Sequence, residues 1–302
     1  MISETDIWVV GQFYKKSLIE GGNDSIFNAM HWNGIDWSFK IIPVVDASNT
    51  VDKDIYCIYY VDKEVWVMVS GGGYARRKNG VWTSKYVSGM GASNNKIWGS
   101  SSSDLYFVGY NGNITHYDGT TFKKMTSGTT VELKDVYGTP DGNEVWACGW
   151  NSDDGNSVIL RKTDNNWNKI VELISPDFNS PPYYSNISTL WTNGSGEFLI
   201  TGIPDGIVRH STSDVNKAKT DQFSRKNFAY RIRGNADNNI FLAGDGGMIW
   251  HYNGKSWKYY QDLFQVDRRL YSISVEEKVV VAVGRYYRDI LSNALVITGK
   301  RQ

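Results

Sequence analysis

Short apolar runs separated by turn residues recur along the whole chain, and two stretches, 97–125 and 232–260, align with each other run by run. The first stretch contains the runs IWGS, DLYFVG, NITHY and TFKKM, and the second contains IRGN, NIFLAG, MIWHY and SWKYY. Alternating or continuous apolar runs of this length, bounded by Gly, Asn and Asp, are typical of β-strands. The pattern therefore predicts a unit of four short strands.

The second strand of this unit recurs along the chain at a spacing of about forty residues. Its seven occurrences are 6–11, 64–68, 104–109, 144–149, 197–202, 239–244 and 280–284. Asn-Gly or Asp-Gly pairs end the third strand in four units, and such pairs favour tight hairpins through positive φ angles. They stand at 33–34, 79–80, 118–119 and 253–254.

Four-stranded sheets repeated radially close into a β-propeller. We therefore predict an all-β, seven-bladed β-propeller, with six blades as the alternative, built as a single domain over residues 1–302 from four-stranded antiparallel blades. The first unit starts at its second strand, and the last unit, from about Leu270, ends after its third strand. Ring closure is therefore expected to be irregular.

The repeat resembles bacterial propeller repeats that read W-G-x-S-x-x-D-V-W-x-V-G-x-x-G-x-I-x-H-Y-D-G, and more distantly the tectonin-type lectin repeats. The bacterial repeats occur in secreted or cell-surface proteins that are uncharacterised or bind ligands and partners. The resemblance implies a binding role and an extracellular, periplasmic or surface-anchored location, with a cytoplasmic location as the alternative.

Composition and charge agree with this fold and narrow the choice of partner. The chain has 12 Trp, 19 Tyr, 30 Gly and 6 Pro, which favours strands and tight turns over helices. Its 32 basic and 32 acidic residues balance, so a nucleic acid or an anionic membrane is not an expected partner. Cys57 and Cys148 lie in apolar runs and are predicted to be buried free thiols. No apolar run reaches the roughly 20 residues of a membrane span, and we expect a monomer.

No catalytic motif or metal-ligand spacing stands out from the repeat. The four histidines, His31, His116, His210 and His251, fall near the end of the third strand of different units, too far apart around a ring to share a metal ion. The acidic residue that opens the second strand also recurs, which favours a structural role. Residues 151–156 carry oxygen ligands but lack the spacing of a calcium loop. We predict no enzymatic activity, cofactor or metal, with a glycosidase or lyase as the remote alternative.

Two sets of residues remain as binding candidates. The first occupies the Trp-Gly position of the first strand, which lines the channel in propellers, and would form an aromatic ring at the channel mouth; packing between blades is the alternative. Its members are Tyr59, Trp98, Tyr137, Trp191 and Arg233.

The second set lies in segments that interrupt the repeat, at 12–24, 175–185, 213–230 and 285–293, and solvated loops are the alternative there. Its members are Tyr183, Tyr184, Arg225, Lys226, Tyr286, Tyr287 and Arg288. Tyrosine and arginine are enriched at protein interfaces. We therefore predict a non-enzymatic binding propeller for a protein or peptide partner, with a carbohydrate-binding propeller as the alternative.

Overall fold

The computed structural model describes ten segments of the chain: 1–15, 25–45, 55–69, 71–90, 94–174, 186–201, 206–211, 218–222, 227–288 and 291–300. Four predicted interface residues, Tyr183, Tyr184, Arg225 and Lys226, lie outside the described residues. Within those segments the regular secondary structure consists of β-strands and two single-turn 3-10 helices, Tyr110–Gly112 and Gln261–Leu263. None of the described helices could span a membrane.

The described strands form seven antiparallel sheets, numbered here in chain order. Sheet 1 contains β1 (Ile7–Lys15), β2 (Ser25–Trp32) and β3 (Trp37–Lys40). Sheet 2 contains β4 (Ile55–Val61), β5 (Glu64–Val69), β6 (Gly73–Lys78) and β7 (Val81–Tyr86). Sheet 3 contains β8 (Asn94–Ser101), β9 (Asp104–Gly109), β10 (Ile114–Tyr117) and β11 (Phe122–Met125).

Sheets 4 to 7 follow in the same order of strands. Sheet 4 contains β12 (Leu133–Gly138), β13 (Val145–Trp150), β14 (Ser157–Thr163) and β15 (Asn166–Leu173). Sheet 5 contains β16 (Thr189–Thr192), β17 (Glu197–Thr201), β18 (Gly206–Ser211) and β19 (Ala218–Gln222). Sheet 6 contains β20 (Ala229–Ala236), β21 (Asn239–Gly244), β22 (Ile249–Tyr252) and β23 (Trp257–Tyr259). Sheet 7 contains β24 (Arg268–Val275), β25 (Val279–Arg288) and β26 (Leu291–Lys300).

The all-β prediction and the four-stranded antiparallel unit are confirmed, but the prediction of seven four-stranded blades is wrong in its strand count. Among the described residues five sheets have four strands, and sheets 1 and 7 have three each. Sheet 1 starts at the second strand of the repeat and sheet 7 ends at the third, as the sequence indicates. A ring of six or of seven blades stays a prediction.

Residues 1–126, with sheets 1 to 3, form one compact unit. Side chains alternate across each strand, so the middle strand β5 supplies two cores at once. Val65 and Val67 pack toward sheet 1, where they join Trp8. Trp66 packs toward sheet 3, where it joins Phe107. Every residue of β5 is buried, which explains its nearly continuous apolar sequence.

Residues 127–302, with sheets 4 to 7, form the second compact unit and repeat the same arrangement. Trp146 of sheet 4 packs on Phe198 of sheet 5, with ring centroids 4.4 Å apart. Leu199 of sheet 5 meets Leu242 of sheet 6. A further core joins sheets 6 and 7 and includes Ala282. Cys57 of the first unit and Cys148 of the second are buried free thiols, as predicted.

The glycine at the end of the repeated second-strand motif is required by a close backbone approach. At Gly149 an added Cβ would lie 1.9 Å from the carbonyl oxygen of Glu132, and at Gly284 it would lie 1.8 Å from that of Arg269. Both contacts are with the backbone at the start of the first strand, beside a register shift in the pairing. The repeat keeps glycine here because even a methyl group does not fit.

The hairpins between third and fourth strands use two turn chemistries. Asn79 and Gly80 both have positive φ, as the Asn-Gly signal predicts. At 118–119 only Gly119 does, and the Asp118 carboxylate instead accepts hydrogen bonds from the backbone N–H groups of Thr120 and Thr121. Those bonds lower the pKa of Asp118 to about 2. The predicted positive φ is therefore confirmed at Gly119 but not at Asp118.

A polar pair links the second and third strands in six of the described sheets. The residue that opens the second strand contacts a histidine or an arginine on the third strand of the same sheet. We call this pair the strand clamp. Its members are Asp6–His31 (2.9 Å), Glu64–Arg76 (2.6 Å), Asp104–His116 (2.7 Å), Glu144–Arg161 (3.5 Å), Glu197–Arg209 (3.0 Å) and Asn239–His251 (3.0 Å).

In five of these sheets the histidine or arginine of the clamp also covers an aromatic ring two residues beyond its partner. His31 stacks on Trp8 at 4.2 Å, and Arg76 lies 5.1 Å from the ring of Trp66. The other three pairs are His116–Tyr106, Arg161–Trp146 and His251–Phe241. His31, His116 and His251, together with the recurring carboxylates, therefore hold strands together, which is the structural role that their recurrence indicates.

The clamp of sheet 2 predicts an acid-sensitive contribution to stability. Burial favours the neutral form of Glu64, but hydrogen bonds from Arg76 and Lys78 outweigh it, so the pKa of Glu64 is lowered from 4.5. A group whose pKa is lower in the folded state stabilises fully above pH 4.5 and loses that contribution as the pH falls through the folded value.

Glu64→Gln is expected to lower the free energy of unfolding at pH 7 by about 2 kcal/mol. It is also expected to flatten the dependence of stability on pH below pH 4.5. Urea unfolding at pH 7 and at pH 3 measures both effects, with the exposed Glu277→Gln as the control. Equal slopes in wild type and Glu64→Gln would contradict the assignment.

Candidate functional site

The five channel-mouth candidates all lie on first strands, at equivalent positions of β4, β8, β12, β16 and β20. Two of them donate hydrogen bonds to the first strand of the next sheet. The Tyr59 hydroxyl donates to the carbonyl of Gly99 at 2.7 Å, and Trp191 Nε1 donates to the carbonyl of Gly234 at 2.9 Å. These bonds join neighbouring sheets.

The exposure of these side chains limits what they could offer a ligand. Trp98 is 4% exposed and Trp191 is 3% exposed, so neither presents an open ring face. In the second unit Tyr137 packs near Trp191, and the Arg233 guanidinium lies 4.7 Å from the Tyr137 ring. Burial raises the pKa of Tyr137 despite the nearby arginine. Ligand binding by this set stays a prediction.

A buried ion cluster is centred on Asp135, and no motif in the sequence indicates it. Asp135 is fully buried in β12. Arg233 of β20 forms two bonds to its carboxylate, at 2.7 and 2.9 Å, and Arg231 lies 2.8 Å from it. Thr189 of β16, between those strands, donates to the same carboxylate at 2.6 Å. One carboxylate thus ties together the first strands of three sheets.

The guanidinium of Arg233 is satisfied by partners within the Asp135 cluster, which indicates a structural role for this side chain. Arg233 also donates to the backbone carbonyls of Leu190 and Ile232, at 3.0 and 2.7 Å. Burial opposes the charge on Arg233, but Asp135 outweighs it and the pKa of Arg233 is raised. Burial also raises the pKa of the neighbouring Cys148 thiol well above its usual value, which removes it as a nucleophile.

The solvent-accessible candidate site is a cluster of tyrosine and arginine side chains at one end of sheets 6 and 7. We call it the Tyr–Arg cluster. Its members are Tyr230, Asp245, Arg269, Tyr271, Arg285 and Tyr287. They come from β20, from the residue after β21, and from the facing ends of β24 and β25.

Arginines in the Tyr–Arg cluster stack on tyrosine rings. The Arg285 guanidinium lies 4.7 Å from the ring of Tyr287 and 5.4 Å from that of Tyr271, and its Nε donates to the Tyr271 hydroxyl at 3.0 Å. Arg269 lies 5.5 Å from the Tyr287 ring. Stacking of this kind orders a guanidinium while its edge stays hydrated. Arg269 and Arg285 are both exposed.

The cluster contains one carboxylate among the described residues, and it faces Arg269. Asp245 lies 3.3 Å from Arg269 Nε and accepts a hydrogen bond from the Tyr230 hydroxyl at 3.0 Å. Burial and this contact with Asp245 raise the pKa of Tyr230 to about 12. In the described part of the chain no carboxylate lies within ion-pair distance of Arg285.

The two remaining tyrosines share a hydroxyl contact of 3.2 Å. Partial burial opposes ionisation of Tyr287, but the contact with Tyr271 and the charges of Arg285 and Arg269 outweigh it and lower the pKa of Tyr287. Burial raises the pKa of Tyr271. The positive field that favours a phenolate on Tyr287 would equally favour a carboxylate placed beside Arg285.

The structure corrects one part of the second predicted set. The sequence predicts a loop at 285–293, but Tyr286, Tyr287 and Arg288 belong to β25, which pairs with β26 up to Arg288↔Leu291. The alternation of apolar and polar residues in this hairpin is weak. Its tyrosines and arginines are typical of interface loops, so the sequence does not indicate a strand there. Tyr287 lies in the cluster. Among the described residues, no three His, Cys, Asp or Glu side chains are grouped so that they could hold a metal ion.

Comparison with known structures defines the class of protein: the chain has the fold of a β-propeller. No protein-family model matches the sequence, and no curated protein matches it. Solved structures match at the level of fold.

Three of these structures cover most of the chain at low identity. YCF48 from Cyanidioschyzon merolae is 12% identical, with 92% of this chain and 95% of that chain covered and a TM-score of 0.63. YCF48 bound to D1 peptide is 13% identical, with 95% and 90% covered and a TM-score of 0.66. The C-terminal WD40 domain of Sif2 is 12% identical, with 90% and 76% covered and a TM-score of 0.55. WD40 repeats form β-propellers.

Proposed function

We propose that this propeller is a non-enzymatic interaction module that binds a protein or peptide partner through the Tyr–Arg cluster. The observation that carries the proposal is the exposed Arg285, held between two tyrosine rings with no carboxylate partner among the described residues. An ordered guanidinium of this kind is suited to a bidentate contact with a carboxylate. Tyr and Arg are also the side chains that dominate binding energy at protein interfaces.

The comparisons lend the proposal support at the level of fold. One structurally similar propeller, YCF48, has been solved bound to D1 peptide. The partner that the cluster fits is an acidic segment, because the cluster offers two arginines against one carboxylate. Carbohydrate binding stays the alternative prediction, and secretion or display at the cell surface stays a prediction from the resemblance of the repeat.

Selection of peptides tests the proposal directly. Random twelve-residue peptides displayed on phage would be selected against the immobilised wild-type chain, and the enriched peptides would be synthesised. They are expected to carry Asp or Glu and to bind Arg285→Ala at least tenfold more weakly, because a charge-assisted contact contributes about 1.5–3 kcal/mol. Isothermal titration calorimetry measures the affinities.

Lys278→Ala is the matched control, since it removes one exposed positive charge from the turn between β24 and β25. Its affinity is expected to stay within twofold of wild type. Failure to enrich any peptide, or enriched peptides that bind wild type and Arg285→Ala equally, would reject the cluster as the binding surface.

A further inference from the structure

Among the described strands, β26 is the outermost strand of sheet 7. In the five four-stranded sheets a fourth strand pairs with the third, whereas no described strand pairs with the outer side of β26. In an antiparallel pair, half of the N–H and C=O groups of each strand point to its neighbour and the rest point away. The ten residues of β26 therefore direct about five of each outward.

The side chains of β26 also lack the cover that equivalent residues have in a complete sheet. Sheet 4 is the matched comparison, since Ala147 and Ala282 hold equivalent places in β13 and β25 and pair with Leu160 and Ile297. Leu160 and its two predecessors in β14 are fully buried. The equivalent residues of β26 are only half-buried; they are Leu295, Val296 and Ile297.

The sequence of β26 does not protect this edge. Native edge strands are usually shortened or interrupted by proline, lysine or a bulge. β26 reads LSNALVITGK, pairs with β25 without a register shift over all ten residues, and has its one charged residue at the end. It is long, regular and apolar in the middle, which is typical of a strand that accepts another.

The Tyr–Arg cluster adjoins the same edge. Arg285 lies directly opposite Ala294 in the pairing of β25 with β26, so both residues point to the same face of the sheet. Ala294 is small and exposed. A strand added beyond β26 would lie about 10 Å from β25, a distance that an arginine and a glutamate span between them.

We propose that the partner binds as an extended acidic segment that adds to the outer edge of β26 as the fourth strand of sheet 7, with a carboxylate on Arg285. This inference rests on the proposed function and specifies its geometry. Main-chain hydrogen bonds supply affinity in strand addition, and side chains on alternate residues supply selectivity. Two independent features meet at this edge: a strand and an arginine that, among the described residues, have no outer neighbour and no acidic partner respectively.

The test uses the selected peptides in two backbone-modified forms, one N-methylated on odd residues and one on even residues. A strand added to one edge uses the donors of alternate residues, so one form is expected to lose at least tenfold in affinity and the other to bind within threefold of the parent. Hydrogen–deuterium exchange of the intact chain is expected to slow over 291–300 when the unmodified peptide binds.

The outcomes separate this inference from the proposed function. Loss of binding in Arg285→Ala, with equal binding of both methylated forms and no protection of 291–300, overturns strand addition and leaves the cluster as a surface for side chains. Protection of 291–300 that persists in Arg285→Ala supports strand addition and rejects the cluster. Protection without peptide, together with a doubled mass in light scattering, would show that a second copy of the chain occupies the edge and would overturn the acidic partner.

Discussion

Replacing Asp135 by asparagine is expected to lower the free energy of unfolding by about 4 kcal/mol, the loss typical of a buried ion pair that is deprived of one partner. The asparagine fills the same volume but leaves Arg231 and Arg233 without a counter-charge, and both side chains are mostly buried. Urea unfolding at pH 7 measures the change. The exposed Asp36→Asn is the control and is expected to stay within about 0.5 kcal/mol of wild type.

A second variant separates unpaired charge from lost packing. The triple replacement Asp135→Leu, Arg231→Met and Arg233→Met removes all three charges together, and buried ion clusters replaced by apolar side chains are often as stable as the originals. It is expected to regain most of the stability that Asp135→Asn loses. A triple variant as unstable as the single one would show that the charges are not the cause.

Gly149→Ala is expected to destabilise the chain by about 3 kcal/mol, because the added methyl group would push into the backbone of β12. The neighbouring atoms are the carbonyl oxygen of Glu132 and the Cα of Leu133, and neither can move without disturbing the pairing of β12 with β13. Thermal and urea unfolding measure the loss.

Gly299→Ala is the matched control for this effect. Gly299 also lies in a β-strand, but an added Cβ would meet nothing within 4 Å. This variant is expected to match wild type or to gain up to about 1 kcal/mol, through reduced freedom of the unfolded chain. Similar losses in both variants would show that glycine is needed for a reason other than space.

Much of the fold could be predicted because the residues of the repeat meet packing requirements that act between neighbouring strands of one sheet. In runs such as EVWVMV successive side chains point to opposite faces of the strand, so the run contributes to two cores. Gly149 is required where a Cβ atom would collide with the neighbouring backbone. These requirements act within one sheet, over a few residues. They recur in almost every unit, so the sequence displays them.

The candidate site could be predicted only in part, because it depends on contacts between distant residues. Asp135 and Arg233 are 98 residues apart and meet across an intervening strand, and no local pattern marks either of them. Composition marks Tyr287 as an interface residue, but the sequence predicts a loop where β25 continues and orders this side chain. Residues 285–288 form a strand because they pair with β26, although their local pattern of apolar residues is weak.

The strand clamp bears on how such a chain could have grown by duplication. Both partners lie on adjacent strands of one sheet, about 12 residues apart in four of the pairs. A duplicated unit would therefore carry its own acid together with its own base. Each Glu–Arg copy is electrically neutral, so copies can accumulate without mutual repulsion, in keeping with a chain whose 32 basic and 32 acidic residues cancel.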